Sequence, residues 1–153
     1  PRVLEFNARF GDPETEVLVP LVEGSFVRLL ASAARGALEP GAVTRAAGAC
    51  VGVAVVDEAY PDASRGGTLE GLEAVERESG VTVFHAGTAW RDGGWIVRGG
   101  RAAFVVAQGT GIAEARERAY RAIGGLGGNG WRVRSDIAAA VAAGAVAGAG
   151  AGP

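Results

Sequence analysis

The sequence predicts an α+β fold, on three patterns. Two apolar runs, residues 47–57 and 101–108, have the valine content of buried strands. A stripe at helical period, Ile112, Ala115, Ala119 and Ile123, follows the second run and marks a helix with one packed face. Residues 3–10 alternate polar and apolar at the period of a strand. Strands followed by a helix laid against them belong to α+β organisation.

Taken in order, the opening strand places Leu4, Phe6, Ala8 and Phe10 on a face that seats in a core. Glu5, Asn7 and Arg9 share the opposite face. A turn with Asp12 and Glu14 follows, stiffened by Pro13 between them. Residues 15–21 and 25–35 read as helices: Val17, Leu18, Leu21 and Val22 form one stripe, and Phe26, Leu29, Leu30 and Ala33 the next. Ser25 is placed to cap the second helix and Gly36 to end it. Residues 37–45, with Pro40 and Gly41, read as a linker. The chain is thereby divided into residues 1–36, a second unit over 37–137, and an Ala/Gly-rich tail over 138–153 that starts as a helix and carries no assigned function.

After the strand at 47–57 comes a polar loop over 58–67, then a strand at 81–85. Residues 88–91 and 95–98 pair as a hairpin across Asp92-Gly93-Gly94. The strand at 101–108 leads to Thr110, which opens the helix over 112–123. Glycines 124, 125, 127, 128 and 130 break that helix.

Composition narrows the function. Apolar residues make up 48% of the 153 and charged residues 21%, the balance of a soluble globular chain, and the length suits one domain. A formal net charge of −2 argues against electrostatic binding to nucleic acid or an anionic membrane. No apolar stretch long enough to span a membrane lacks glycine breaks, and no signal pattern opens the chain. All 15 basic residues are arginine, so a Schiff-base or phosphate-loop lysine is absent from this stretch. The lone cysteine, Cys50, sits in an apolar run and reads as a core residue in a reduced, cytoplasmic protein. A start at Pro1, in mid-strand, is read as the sign of a piece of something longer.

The opening strand offers the clearest chemistry. Glu and Asn oxygens suit a hard divalent cation, which commonly brings phosphate oxygens with it. An arginine alongside stabilises negative charge developing on a substrate. The plain reading of the same pattern is a half-exposed strand with solvated Glu–Arg neighbours. His85, the only histidine, reads first as a hydrogen-bonding residue at a strand end. Gly87 amides and the Thr88 hydroxyl offer donors for a phosphate or carboxylate. Arg101, after Gly99-Gly100, is either a solvated charge or part of an anion site.

The string Leu4-Glu5-Phe6-Asn7-Ala8-Arg9-Phe10-Gly11-Asp12-Pro13-Glu14-Thr15 resembles the end of the ATP-grasp catalytic core in the phosphoribosylamine–glycine ligase (glycinamide ribonucleotide synthetase) family. Val83-Phe84-His85-Ala86-Gly87-Thr88 is a second match and Gly99-Gly100-Arg101 a third. The third match runs on through Gly109 and the helical residues 114–120, and Arg134-Ser135-Asp136-Ile137 is the fourth. The resemblance covers residues 1–137 in the family's order. It implies the end of an ATP-grasp core followed by the ligase's small carboxy-terminal α+β domain. The implied reaction, in purine biosynthesis, phosphorylates glycine with ATP to an acyl phosphate. The amine of 5-phosphoribosylamine then displaces the phosphate, giving glycinamide ribonucleotide, ADP and phosphate. The resemblance makes Glu5 and Asn7 ligands of Mg²⁺ or Mn²⁺ and Arg9 the charge-stabilising arginine. Gly11, Asp12, Pro13 and Glu14 then face the acceptor substrate, with His85, Gly87, Thr88 and Arg101 near the cleft.

Two stretches depart from the family pattern. Asp57-Glu58-Ala59-Tyr60-Pro61 replaces a glycine-rich turn before Tyr-Pro, and Arg65-Gly66-Gly67-Thr68 replaces a pattern with an Asp after a single glycine. The nucleotide-binding lobe and amino-terminal substrate domain are not in this chain, so the rest of the ligase is an implied partner and the piece alone is expected to be inactive. Two other readings stand beside this one. Another ATP-grasp carboxylate–amine ligase shares Glu-x-Asn-x-Arg, although the Gly-Asp-Pro-Glu continuation and the His-Ala-Gly-Thr turn argue against it. The second alternative is a non-catalytic binding or interaction module that kept the ligase fold.

Overall fold

In the computed structural model, residues 2–3 and 6–144 are described. The chain divides into two compact units, Pro1–Ala47 and Gly48–Pro153.

In the first unit, α1 (Glu14–Leu18) runs into a 3-10 turn, Val19–Leu21, where Pro20 is tolerated in the opening turn. β1 (Val22–Gly24) leads to α2 (Phe26–Ala34). Ser25 caps α2, its hydroxyl accepting from the Arg28 amide at 3.3 Å. Residues 37–45 are not a bare linker. Pro40–Ala42 form a 3-10 turn, and β2 (Val43–Arg45) pairs antiparallel with β1, Val22 opposite Arg45. The buried Ser32 hydroxyl ties this return to α2, donating to the Leu29 carbonyl at 2.7 Å and accepting from the Glu39 amide at 3.0 Å.

The opening strand expected over residues 3–10 is not formed among the described residues. Phe6 and Phe10, expected in a core, are 91% and 56% exposed. Alternation alone does not make a strand, because its backbone groups need a neighbouring strand to pair with. In this unit β1 and β2 pair with each other, and no described residue of that segment pairs with either.

The second unit holds β3 (Ala49–Asp57), β4 (Gly67–Glu70), α3 (Leu72–Glu76), β5 (Val81–His85), β6 (Thr88–Arg91), β7 (Gly94–Val97) and β8 (Arg101–Gly109). α4 (Ile112–Ile123), β9 (Gly127–Asn129), β10 (Trp131–Arg132) and α5 (Ala139–Ala142) complete it. Two four-stranded antiparallel sheets result, ordered β10-β3-β8-β5 and β6-β7-β4-β9. Val51, Val53 and Val55 alternate inward along β3 and meet the α4 stripe of Ala115, Ala119, Ala122 and Ile123. The alanines let the helix lie close to the sheet, and each buried valine is worth roughly 1.5–3 kcal/mol of burial.

The hairpin β6–β7 turns on two residues, Asp92 and Gly93, with φ of 51° and 83°. Positive φ at both central residues is the two-residue turn whose twist matches paired strands, and Asp-Gly is its usual sequence. At the other end of α4, Glu114 accepts from the Thr110 amide at 2.8 Å and its hydroxyl at 2.7 Å, so Thr110 opens the helix through Glu114. β4, α3 and β9 were not anticipated: each spans five residues or fewer, too short for periodicity to register.

Candidate functional site

The residues expected at the opening metal site are only partly in view. Glu5 lies outside the described residues. Asn7 and Arg9 are exposed, and Arg9 Nη1 donates to the Phe10 carbonyl at 2.8 Å. The Gly11 carbonyl accepts from both the Thr15 amide, at 3.2 Å, and the Thr15 hydroxyl, at 2.5 Å. Asp12 and Pro13 stand just before α1, and Glu14 is its first residue. The donor types, a carboxylate and an amide oxygen, suit a hard cation. Among the described residues, however, no three His, Cys, Asp or Glu groups gather as a cage.

The second unit holds a more developed cluster. α3 buries Leu72 and Val75, while Glu73 is half-buried and Glu76 exposed. Trp95 Nε1, on β7, donates to Glu73 Oε1 at 2.7 Å. His85, at the end of β5, lies with Nε2 2.9 Å from Glu76 Oε1 and Nδ1 2.7 Å from Thr88 Oγ1. The His85 and Trp95 rings stack at 4.4 Å between centroids, tilted by 39°. Two carboxylates three residues apart on one short helix thus hold two stacked rings. Trp95 also meets Trp90 edge-on at 5.2 Å, and both line a cleft of about 550 Å³ with Glu70, Glu73 and Arg91.

Gly87 serves the backbone here. Its amide donates to the Arg101 carbonyl at 2.8 Å, and its carbonyl accepts from the Arg98 amide at 2.6 Å. A Cβ at this position would stand 3.0 Å from Gly99 Cα and 2.7 Å from the Arg101 oxygen. The Gly87 amide, expected to face an anion, is engaged inside the chain. The Arg101 guanidinium lies 5.6 Å from the Phe104 ring centroid, a cation–π placement.

The two stretches that depart from the family pattern meet on one carboxylate. Asp57 is fully buried. Its Oδ1 accepts from the Ala59 amide at 2.9 Å. Its Oδ2 accepts from the Ser64 hydroxyl at 3.1 Å, the Arg65 amide at 2.9 Å and the Gly66 amide at 2.8 Å. These donors, the Ala59 amide foremost, hold its carboxyl below the ordinary aspartate range despite burial. Cys50, expected in the core, is only half-buried on β3; burial still pushes its thiol up, which disfavours the nucleophilic thiolate.

The last two sequence motifs form a clasp. Arg116, on α4, donates through Nε to the Ile137 carbonyl at 2.9 Å and through Nη2 to the Ser135 carbonyl at 2.7 Å. The Tyr120 hydroxyl donates to the Arg134 carbonyl at 2.5 Å. Arg134 grips Asp136 through two bonds of 2.9 and 2.6 Å, which lower the Asp136 carboxyl below its usual range. Sequence reasoning missed Glu73, Glu76, Trp95 and Asp57 as organising residues. The one local signal was the apolar i,i+3 pair Leu72 and Val75, which marks a buried helix face but fixes no partner for either glutamate.

Comparison with known proteins agrees with the arrangement of these motifs. The family model described as phosphoribosylglycinamide synthetase, C domain, matches residues 50–140. A phosphoribosylamine–glycine ligase of Caldanaerobacter subterraneus is 39% identical over 140 residues, covering 91% of this chain and 33% of that protein. One from Leifsonia xyli is 43% identical over 145 residues, covering 90% of this chain and 34% of its own length. The crystal structure of a phosphoribosylamine–glycine ligase from Thermotoga maritima superposes with a TM-score of 0.75 at 34% identity, over 90% of this chain and 33% of that one. The chain therefore spans about a third of the length of these relatives. On the family match, which takes in β3 through α5 and the Asp57, Glu76–His85 and Arg116–Ile137 contacts, the chain belongs to the phosphoribosylglycinamide synthetase C-domain family.

Proposed function

We propose that this chain is the carboxy-terminal portion of a phosphoribosylamine–glycine ligase, which joins glycine to 5-phosphoribosylamine at the expense of ATP in purine biosynthesis. The observation that carries the reading is the match to ligases of that name over nine-tenths of the chain, 91% for the Caldanaerobacter protein. Residues 1–36 belong in this reading to the end of the ATP-grasp core, and 37–137 to the small carboxy-terminal domain.

Glu5 and Asn7 offer oxygens to Mg²⁺ or Mn²⁺, which when bound neutralises phosphate charge. Arg9 supplies a permanent cation to the reacting phosphoryl group. Gly11, Asp12, Pro13 and Glu14 face the acceptor substrate. His85, Thr88 and Arg101 form a wall of the cleft, with Gly87 keeping the turn close enough for them to converge. ATP, glycine, 5-phosphoribosylamine and the remaining ligase domains are the partners, and a cytoplasmic setting goes with the reduced Cys50. Among the described residues no helix is long and apolar enough to cross a membrane. Exposed Phe6, Phe10, Leu18 and Val27 in the first unit fit a surface that the rest of the ligase covers.

The test uses the longer ligase carrying Glu5→Ala and Asn7→Ala. The expected result is loss of metal-dependent nucleotide affinity by roughly 10–100-fold, the usual scale for disturbing a metal site, with an unchanged thermal transition. Turnover and ATP affinity equal to the parent would defeat the assignment.

A further inference from the structure

We propose that Glu76 sets the polarity of the Thr88 hydroxyl, so that its oxygen accepts from a hydrogen-bond donor, an ammonium or hydroxyl group, and does not donate to an anion. The identification of that donor as glycine or phosphoribosylamine rests on the ligase reading; the polarity does not.

An ionised carboxylate only accepts hydrogen bonds, so the proton in the 2.9 Å contact between Glu76 Oε1 and His85 sits on Nε2. A neutral imidazole carries one ring proton. Nδ1 is then an acceptor, and the 2.7 Å contact to Thr88 Oγ1 requires the hydroxyl to donate. Thr88 has a single hydroxyl proton, and that proton is spent. Its oxygen keeps lone pairs alone, which bind ammonium or hydroxyl hydrogens and repel phosphate or carboxylate oxygens. The ring is held by its stack on Trp95, which Glu73 anchors through the indole N–H. Sequence alone pointed the other way, with Thr88 as a donor to an anion. Glu76, on a helix the sequence did not reveal, reverses it. Glu76 is in this sense a positioning residue.

His85 is the only histidine, so its ring nitrogens are read without ambiguity by ¹⁵N NMR of the chain. In mildly alkaline buffer the expected form is protonated at Nε2 and bare at Nδ1. In Glu76→Gln the amide can donate to Nε2, and the ring is expected to move toward the Nδ1–H tautomer. A parent ring protonated at Nδ1, or a tautomer unchanged in Glu76→Gln, would overturn the proposal. Titration with glycinamide, acetate and inorganic phosphate gives the ligand side. Glycinamide alone is expected to shift the Thr88 amide and His85 ring, and Thr88→Val is expected to abolish that shift. A response to acetate or phosphate, or none to glycinamide, would overturn it. Thr88→Val keeps the test open should Glu76→Gln fail to fold. In the longer ligase, Glu76→Gln is expected to raise KM for glycine or phosphoribosylamine about tenfold, the worth of one hydrogen bond, with KM for ATP unchanged; a selective rise in the ATP value would overturn it. A parent without ligase turnover would sink the proposed function and leave the tautomer and titration results standing.

Discussion

Asp57 shows how one residue organises a loop that the sequence left blank. Its carboxylate collects donors from Ala59, Ser64, Arg65 and Gly66, so residues 58–66 fold around a buried charge. A buried carboxylate without such donors would cost several kcal/mol, and would protonate. Asp57, Glu114 and Asp136 all have carboxyls held below their ordinary values: Asp57 by backbone amides, Glu114 first by the Thr110 hydroxyl, and Asp136 first by Arg134. A group with a lower pKa in the folded state binds fewer protons there. Its stabilisation is whole above the unfolded value, about 3.9 for Asp and 4.3 for Glu, and drains as pH falls through the folded value. The second unit is therefore expected to hold a constant Tm contribution from these groups above about pH 5 and to lose it below about pH 4. In Asp57→Asn the acid-side loss should be smaller, with faster amide exchange at Ala59, Arg65 and Gly66 already at neutral pH. Unchanged exchange at those three amides would count against Asp57 as the loop's anchor.

At the scale of elements, α3 and the β6–β7 hairpin carry the cluster of rings and carboxylates. A five-residue helix has no independent stability, so α3 depends on Leu72 and Val75 in the core. Leu72→Ala is expected to cost about 2–5 kcal/mol, a fall of at least several degrees in Tm. It should also loosen the Trp95 and His85 rings that Glu73 and Glu76 hold. In the hairpin, Gly93→Val places a β-branched residue at φ 83°. It is expected to cost about 1–2 kcal/mol by thermal unfolding, whereas a cost near zero would mean the turn is not as described.

On the scale of the whole chain, the second unit has its own core, linking both sheets with α3 and α4. Residues 48–144 alone are therefore expected to unfold in one cooperative transition and to keep dispersed amide resonances. Absence of such a transition would show that the core needs residues 1–47. The first unit buries far less: among its described residues only Ser32 is fully buried, while Phe6, Leu18, Val27 and Leu38 are well exposed. Removing residues 1–47 should accordingly lower binding of a hydrophobic dye.

Features encoded by neighbouring residues were legible without the structure. The hairpin turn after Arg91, the Ser25 cap, the α4 stripe and the valine-rich run of β3 each depend on local dihedrals, a short period or local composition. The opening segment marks the limit of such local signals, because its alternation is just as local and yet its strand is not formed among the described residues. The tertiary structure alone decided what joins distant residues: Trp95 to Glu73, His85 to Glu76, and Asp57 to the far end of its loop. A hydrogen bond between groups 9 to 22 residues apart depends on how the intervening chain folds back, and no local period records that path. It is that path which gives a lone histidine a partner at each ring nitrogen.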